Sequence, residues 1–369
     1  MIALLIGLLI TGSMISVFIA TRSASKSTAG IASLTDGGRV ALDFLQQGIR
    51  SAGYMACNTP SRQLNLVTAG TSTVATDYLE ALGGYEATGS GSGKTISTVS
   101  ATAATAAAAV TVDSSTSDWT STAALGNALD SMLTSKVVKG SDVLVVHTLL
   151  PQASPNPPTV YLTAPAAIGD TTLTVSGVSG FAKDQVALIS NCVTSAAVQI
   201  KAASGTSVTL TTALTTAFDV GSQVGVVDTI AYYVGVDPSS HNSALFAYDL
   251  EGYADPANAK TQVQELVPDI ENMQILYGID TSGAQAVTRY VTANQVATLA
   301  SAGNFNGVIN VRIAVMAASP LNAKPAPDVT KTAVLPPTLS LAGTTVQPPA
   351  DTRLRRVFEM TVAVRNNGV

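Results

Sequence analysis

Met1 to Ala20, MIALLIGLLITGSMISVFIA, contains no charged residue and no proline. An apolar run of about 20 residues is long enough to cross a bilayer with a hydrocarbon layer of about 30 Å. Thr11, Ser13 and Ser16 fit such a span, because a hydroxyl can bond back to its own helix backbone. The helical rhythm continues past the apolar run. Ile31, Leu34, Leu42, Leu45, Ile49 and Ala52 recur at spacings near three and four, so they line one face. Arg22, Lys26, Asp36, Arg39, Asp43 and Arg50 fall on the other faces. The pattern predicts one continuous helix to about Gly53, roughly 80 Å long at 1.5 Å per residue. Its first part (1–20) reads as transmembrane and its second part as an amphipathic spine for a globular head. A cleaved signal peptide would have a shorter apolar core, of roughly 7–15 residues, and a small-residue cleavage site. Its helix would also not run on into the body.

Charged residues make up only 12% of the 369 residues, and Ser, Thr, Ala, Gly and Val fill the gap. Ordinary cytosolic domains carry about 25% charge, so the mix suits a β-rich extracytoplasmic protein better. The net charge is −5 and no basic block occurs, so nothing argues for a nucleic-acid partner. The two cysteines, Cys57 and Cys192, are too far apart in sequence for a CxxC redox or zinc motif. A single periplasmic disulfide between them and two unrelated buried thiols both stay open.

Residues 85–125 are low in complexity, with GSGSGK followed by an Ala/Thr tract, and read as a flexible surface insertion. From Val137 the texture changes to short β-branched runs punctuated by Gly, Asp, Ser and Asn: DVLVVHTLL, TTLTVSGV, DQVALIS, TSVTLTTAL, SQVGVVDTIAYYVGV and SALFAYDL. That is the signal of an antiparallel sheet or small barrel. GVINVRIAVMA and RRVFEMTVAV are the strongest strand candidates. The stretch between them is rich in proline and cannot be a central strand. The expected fold is therefore α+β, with the long helix packed on an antiparallel β-rich head. The expected division is helix 1–53 and head 54–369, with insertions at about 85–125 and 319–350.

Enzymatic chemistry is hard to find. GSGSGKT resembles a phosphate loop, but fixing Gly93-Lys94-Thr95 puts Thr88 where the first glycine belongs. His147 reads as a sheet histidine and His241 as a solvated turn residue; neither has a ligand cluster around it. No GxSxG elbow occurs. Asp280, Ser282 and Gly283 loosely suggest a calcium loop, but a single carboxylate is too few, and a hairpin turn is the better reading. The sequence gives no catalytic residue, cofactor or metal.

Several segments, taken in order, resemble the PilW family of type IV pilus minor pilins. They are the N-terminal helix, then Gly38-Arg39, Leu42, Ile49-Arg50, Ala52-Gly53-Tyr54 and Cys57. GSDVLVV, ELVPDIENMQILYGID with RYV, and RLRRVFEMTVAVRN follow. The resemblance implies a structural minor pilin that joins, primes or caps a type IV pilus, not an enzyme. Its implied partners are other minor and major pilins, reached through the N-terminal helix, and the inner membrane before assembly. The head would lie in the periplasm and later on the surface pilus, in keeping with adhesion or motility. Gly7, Leu8, Leu9, Gly12, Ser13, Leu42, Leu45 and Ile49 are the expected helix-packing residues; the small ones let helices approach closely. Such pilins are made with a basic leader ending in Gly, and a Glu follows a few residues later. Neither pattern appears from Met1 onward, so the expectation is a start upstream or a copy that does without them. A type II secretion pseudopilin and a tethered adhesin that never polymerises fit the same rod-and-head plan.

Overall fold

The computed structural model describes residues 2–54, 64–67, 80–97, 118–121, 129, 133, 136–149, 160–178, 180–181, 183, 185–191, 193–237, 240, 242–250, 263–300, 305–320, 336–349 and 351–366; the side chains of residues 2–6 and of Leu9 are not among what is described. Cys57, Cys192 and His241, and most of the two expected insertions, lie outside the described residues.

The rod is present as one helix, α1 (Ile2–Ser51). Strands β1 (Leu64–Val67), β2 (Leu82–Ala87), β3 (Thr95–Ser97), β4 (Trp119–Thr120) and β5 (Val143–Leu149) follow. Next come β6 (Val160–Tyr161), β7 (Thr172–Thr174), β8 (Val186–Ser190), β9 (Ser195–Ser204), β10 (Ser207–Leu210) and the long β11 (Gln223–Val236). The last third holds β12 (Ser243–Asp249), β13 (Val263–Pro268), β14 (Ile270–Ile279), β15 (Arg289–Val291), a short α2 (Ala293–Leu299), β16 (Val308–Ala318), β17 (Leu339–Leu341), β18 (Thr344–Gln347) and β19 (Arg355–Ala363).

β11 is the spine of the body. Its first residues pair with β8, from Gln223 opposite Ser190 to Val226 opposite Ala187. Its later residues lie between β5 and β12. One strand thus belongs to two neighbourhoods with separate cores. Val160, Leu173, Ile189, Val198, Val208 and Phe218 form a small core of their own among β6–β10 and the start of β11. Beyond it, β5 is buried on both faces. Leu144 and Val146 face α1 and the second sheet, while Val143 and Val145 face Trp119 and Tyr233. A strand covered on both sides reads as an unbroken apolar run, which is why DVLVV shows no polar alternation.

The second sheet runs β15-β14-β16-β19, all antiparallel, with Ile313 opposite both Ile275 and Met360. Alternate residues of β14, including Ile275, Tyr277 and Ile279, join Leu45 and Ile49 of α1 in the main core. The other face carries Leu276, Ala314 and Met316 against Leu341 and Val346 of the β17–β18 hairpin.

The fold expectation needs correction. A helix packed on one antiparallel head does not describe this chain. The described helix residues from Gly7 to Ala29 are exposed or half-exposed, and burial begins only at Gly30 and Leu34. Beyond that point Leu34, Ala41, Leu45, Ile49 and Ala52 are buried, Leu42 is half-buried and Ile31 stays exposed. The body is not uniformly antiparallel either, since β1 runs parallel to β9 and β3 parallel to β18. The strands form three sheets with several cores, and α1 covers only one of these. The physical reason is length: about 50 residues of helix span roughly 75 Å, far more than the face of one sheet.

Candidate functional site

Among the described residues, the N-terminal half of α1 presents a run of exposed apolar side chains. Leu8, Met14 and Phe18 are 74%, 70% and 66% exposed, and Ile10, Ile15, Val17 and Ile19 are exposed around them. Contiguous apolar surface of this kind marks an interaction or membrane site. The hydroxyls in this half are satisfied within the helix. Thr11 donates to the Gly7 carbonyl (2.9 Å), Ser13 to Ile10 (2.8 Å) and Ser16 to Ser13 (2.8 Å). Gly7 and Gly12 leave open space beside the helix. Among the described residues, however, no helix is long and apolar enough to cross a membrane, so the transmembrane expectation for 1–20 is not met there. The side chains of Ile2–Ile6 and Leu9 fall outside the described residues, and Gly, Ser and Thr dilute what remains.

Glycines fix how α1 meets the head. At Gly38 any Cβ would lie within the ring of Phe358 on β19. At Gly48 it would lie 2.8 Å from Tyr232 on β11. Gly53, at φ +69°, ends the helix in the left-handed conformation that glycine adopts without a Cβ penalty. Its N–H donates to the His147 carbonyl (2.8 Å), and Asn366 donates to the Ala52 carbonyl (3.1 Å). Leu45 and Ile49 therefore pack on the chain's own head.

Two of the segments that carried the resemblance meet as a buried ion-pair network. Arg353 is 1% exposed, pairs with Asp269 and donates to the Ser319 carbonyl (2.6 Å). Arg355 bonds Glu271 through Nε (2.6 Å) and Asp351 through Nη2 (2.6 Å). These carboxylates hold the Arg355 guanidinium above its ordinary value against the opposing effect of burial. Planar, forked guanidinium groups suit this bidentate role.

A second buried charge cluster lies at the far end of β2. Asp142 is 2% exposed and accepts the N–H groups of Ala87 (3.0 Å) and Ile275 (2.8 Å), so it ties β2 to β14. Glu86 sits beside it. The Ser90 hydroxyl lies 2.8 Å from Glu86 Oε1 and 3.3 Å from Asp142 Oδ1, with one proton to share. Glu86 Oε2 and the Tyr277 hydroxyl are buried with no hydrogen-bond partner among the described residues. Burial, and then Asp142, push the Glu86 carboxyl up to about 9. Burial likewise raises Asp142 to about 7, against the pull of its N–H donors. His147, 1% exposed, meets the Glu80 carbonyl through Nδ1 at 2.7 Å, as a sheet histidine should. Asp280 closes the β14–β15 hairpin turn and accepts N–H groups of Ser282 (2.7 Å), Gly283 (3.0 Å) and Gln285 (2.7 Å). These bonds, Ser282's first, hold its carboxyl below the usual range.

The sequence reading missed Glu86, Asp142 and Tyr277, and read GSGSGK as a flexible linker. The turn is in fact pinned: Gly91 N–H donates to Thr344 Oγ1 (3.0 Å) and Gly93 N–H to the Gly343 carbonyl (3.0 Å). A polar residue at the mouth of an apolar strand, as in GSDVLVV, was the one signal available for Asp142.

These features describe a rod-and-head protein, with an exposed apolar helix fixed to a β-rich body. The family model described as "Type IV Pilus-assembly protein W" (PilW) matches residues 231–366, about a third of the chain. The matched stretch runs from within β11 to just past β19, and so contains both the buried arginines and the second sheet. It is consistent with the resemblance to the PilW family and indicates a part in type IV pilus assembly. No curated protein matches the chain.

Proposed function

We propose that this chain is a structural minor pilin that takes part in the assembly, priming or tip of a type IV pilus. The observation that carries the reading is the exposed apolar half of α1, projecting from a head whose C-terminal part matches a pilus-assembly family model. The helix docks with the helices of other minor and major pilins, where one apolar environment replaces another. Gly7, Gly12 and Ser13 allow close approach, and Leu8 and Leu9 supply contact. Before assembly the helix rests in the inner membrane with the head in the periplasm. Helix 1–53 then acts as the polymerising element and 54–369 as the displayed head.

The test is a charge at Leu8 or Leu9, far from the head's core. Leu8→Lys and Leu9→Lys are expected to abolish piliation and copurification with other pilins while the head stays folded. Normal pilus numbers in both variants would overturn the proposal.

A further inference from the structure

We infer that the groove between the Gly-rich turn 89–94, β15, the start of α2 and the β17–β18 hairpin binds a saccharide. The cavity measures about 700 Å³, the size of pockets that take small ligands. Its lining is unlike the mostly apolar wall of a typical small-molecule site. Neutral hydroxyls and amides dominate it, among them Ser92, Thr120, Asn294, Gln295 and Ser340. Tyr290 stands at the edge, 39% exposed, and contributes an aromatic ring with a polar tip. That combination is what a sugar ring needs, with an apolar C–H face to stack and hydroxyls around the rim to pair.

The charges at the groove argue against a phosphate or nucleotide. Of its two cations, Arg312 pairs with Glu359, and Lys94 makes no ion pair among the described residues. One lysine is not a cradle for a polyanion. The floor is Glu86, 4% exposed, whose carboxyl is met by the Ser90 hydroxyl and the Ala293 N–H at the start of α2. At Gly91 the wall is tight, since a Cβ there would sit 3.4 Å from both Glu86 Oε1 and Thr292 Cγ2. Gly89 and Gly91 hold φ of +86° and +107°, left-handed backbone that favours glycine.

The groove is also preformed. The turn is pinned to the hairpin by the Gly91 and Gly93 N–H bonds, and Asn294 Nδ2 donates to Thr120 Oγ1 (3.1 Å), joining α2 to β4 across one wall. A pocket held in shape loses little entropy when it binds.

The test uses the full chain in detergent on a broad glycan array, followed by titration of the best glycan against wild type, Tyr290→Ala and Asn294→Ala. Asn294→Ala also removes the Thr120 bond and Tyr290→Ala some packing on β14, so a Tyr290→Phe variant, which keeps the ring, is titrated beside them and each variant's melting temperature is measured. The expected result is binding that weakens at least tenfold in each alanine variant, with pilus assembly unchanged. Failure of the pilin reading would show in assembly alone, so the two outcomes separate. No array signal above that of the Tyr290→Ala variant, or undiminished binding in both alanine variants, would overturn the inference.

Discussion

Glu86 makes the stability of this head depend on pH in an unusual direction. Its carboxyl is pushed from 4.5 to about 9, chiefly by burial. In the unfolded chain it ionises above its ordinary value; in the folded head it stays protonated until near pH 9. The group's contribution is therefore most favourable below pH 4.5 and is lost progressively as pH rises towards 9. At pH 7 the gap is 2.5 pH units, or about 3 kcal/mol at 1.36 kcal/mol per unit. Asp142, raised in the same direction, shares some of that cost, so about 2 kcal/mol is a safer expectation for Glu86 alone. Glu86→Gln keeps the shape and the acceptor for Ser90 but cannot ionise. Urea denaturation of the full chain at pH 5 and pH 8 should show the wild type weaker at pH 8, and the variant should lose much of that difference. Equal pH slopes in wild type and variant would mean that the carboxyl is not held neutral, and the reasoning would fail.

Other substitutions probe separate links. Gly38→Ala pushes a Cβ into the Phe358 ring and should cost about 1–3 kcal/mol as overpacking, read as a lower urea midpoint. Gly12→Ala meets nothing and should leave the midpoint unchanged or higher, since alanine favours a helix by about 1 kcal/mol over glycine. Arg353→Ala strands Asp269 and should destabilise by about 3–5 kcal/mol; a loss under 1 kcal/mol would show that the network does not hold β14 to β19.

Much of the chain was legible because its signals are local. The period of apolar residues gave α1, and β-branched runs gave β5, β11, β14, β16 and β19. The role of His147 as a satisfied sheet histidine was readable too, since it sits in an apolar strand-like run. The groove was not legible. Glu86, Ser340 and the stretch that carries Tyr290 and Asn294 come from three distant places, and no spacing rule links them. Gly-Ser repeats look the same whether they flex or are pinned, because the bonds that pin this turn come from Gly343 and Thr344.

By itself the sequence determined that an apolar helix would lead into a β-rich body, because hydrophobic period and β-propensity act over a few residues. Only the tertiary structure decided where the helix leaves the head. Burial starts at Gly30 because the sheet that α1 covers is shorter than the helix. The tertiary structure also decided that RLRR and PDIEN would pair, and that Glu86 would be buried beside Asp142. Those outcomes depend on strands far apart in sequence meeting in one core, where the loss of water sets the energy of every charge.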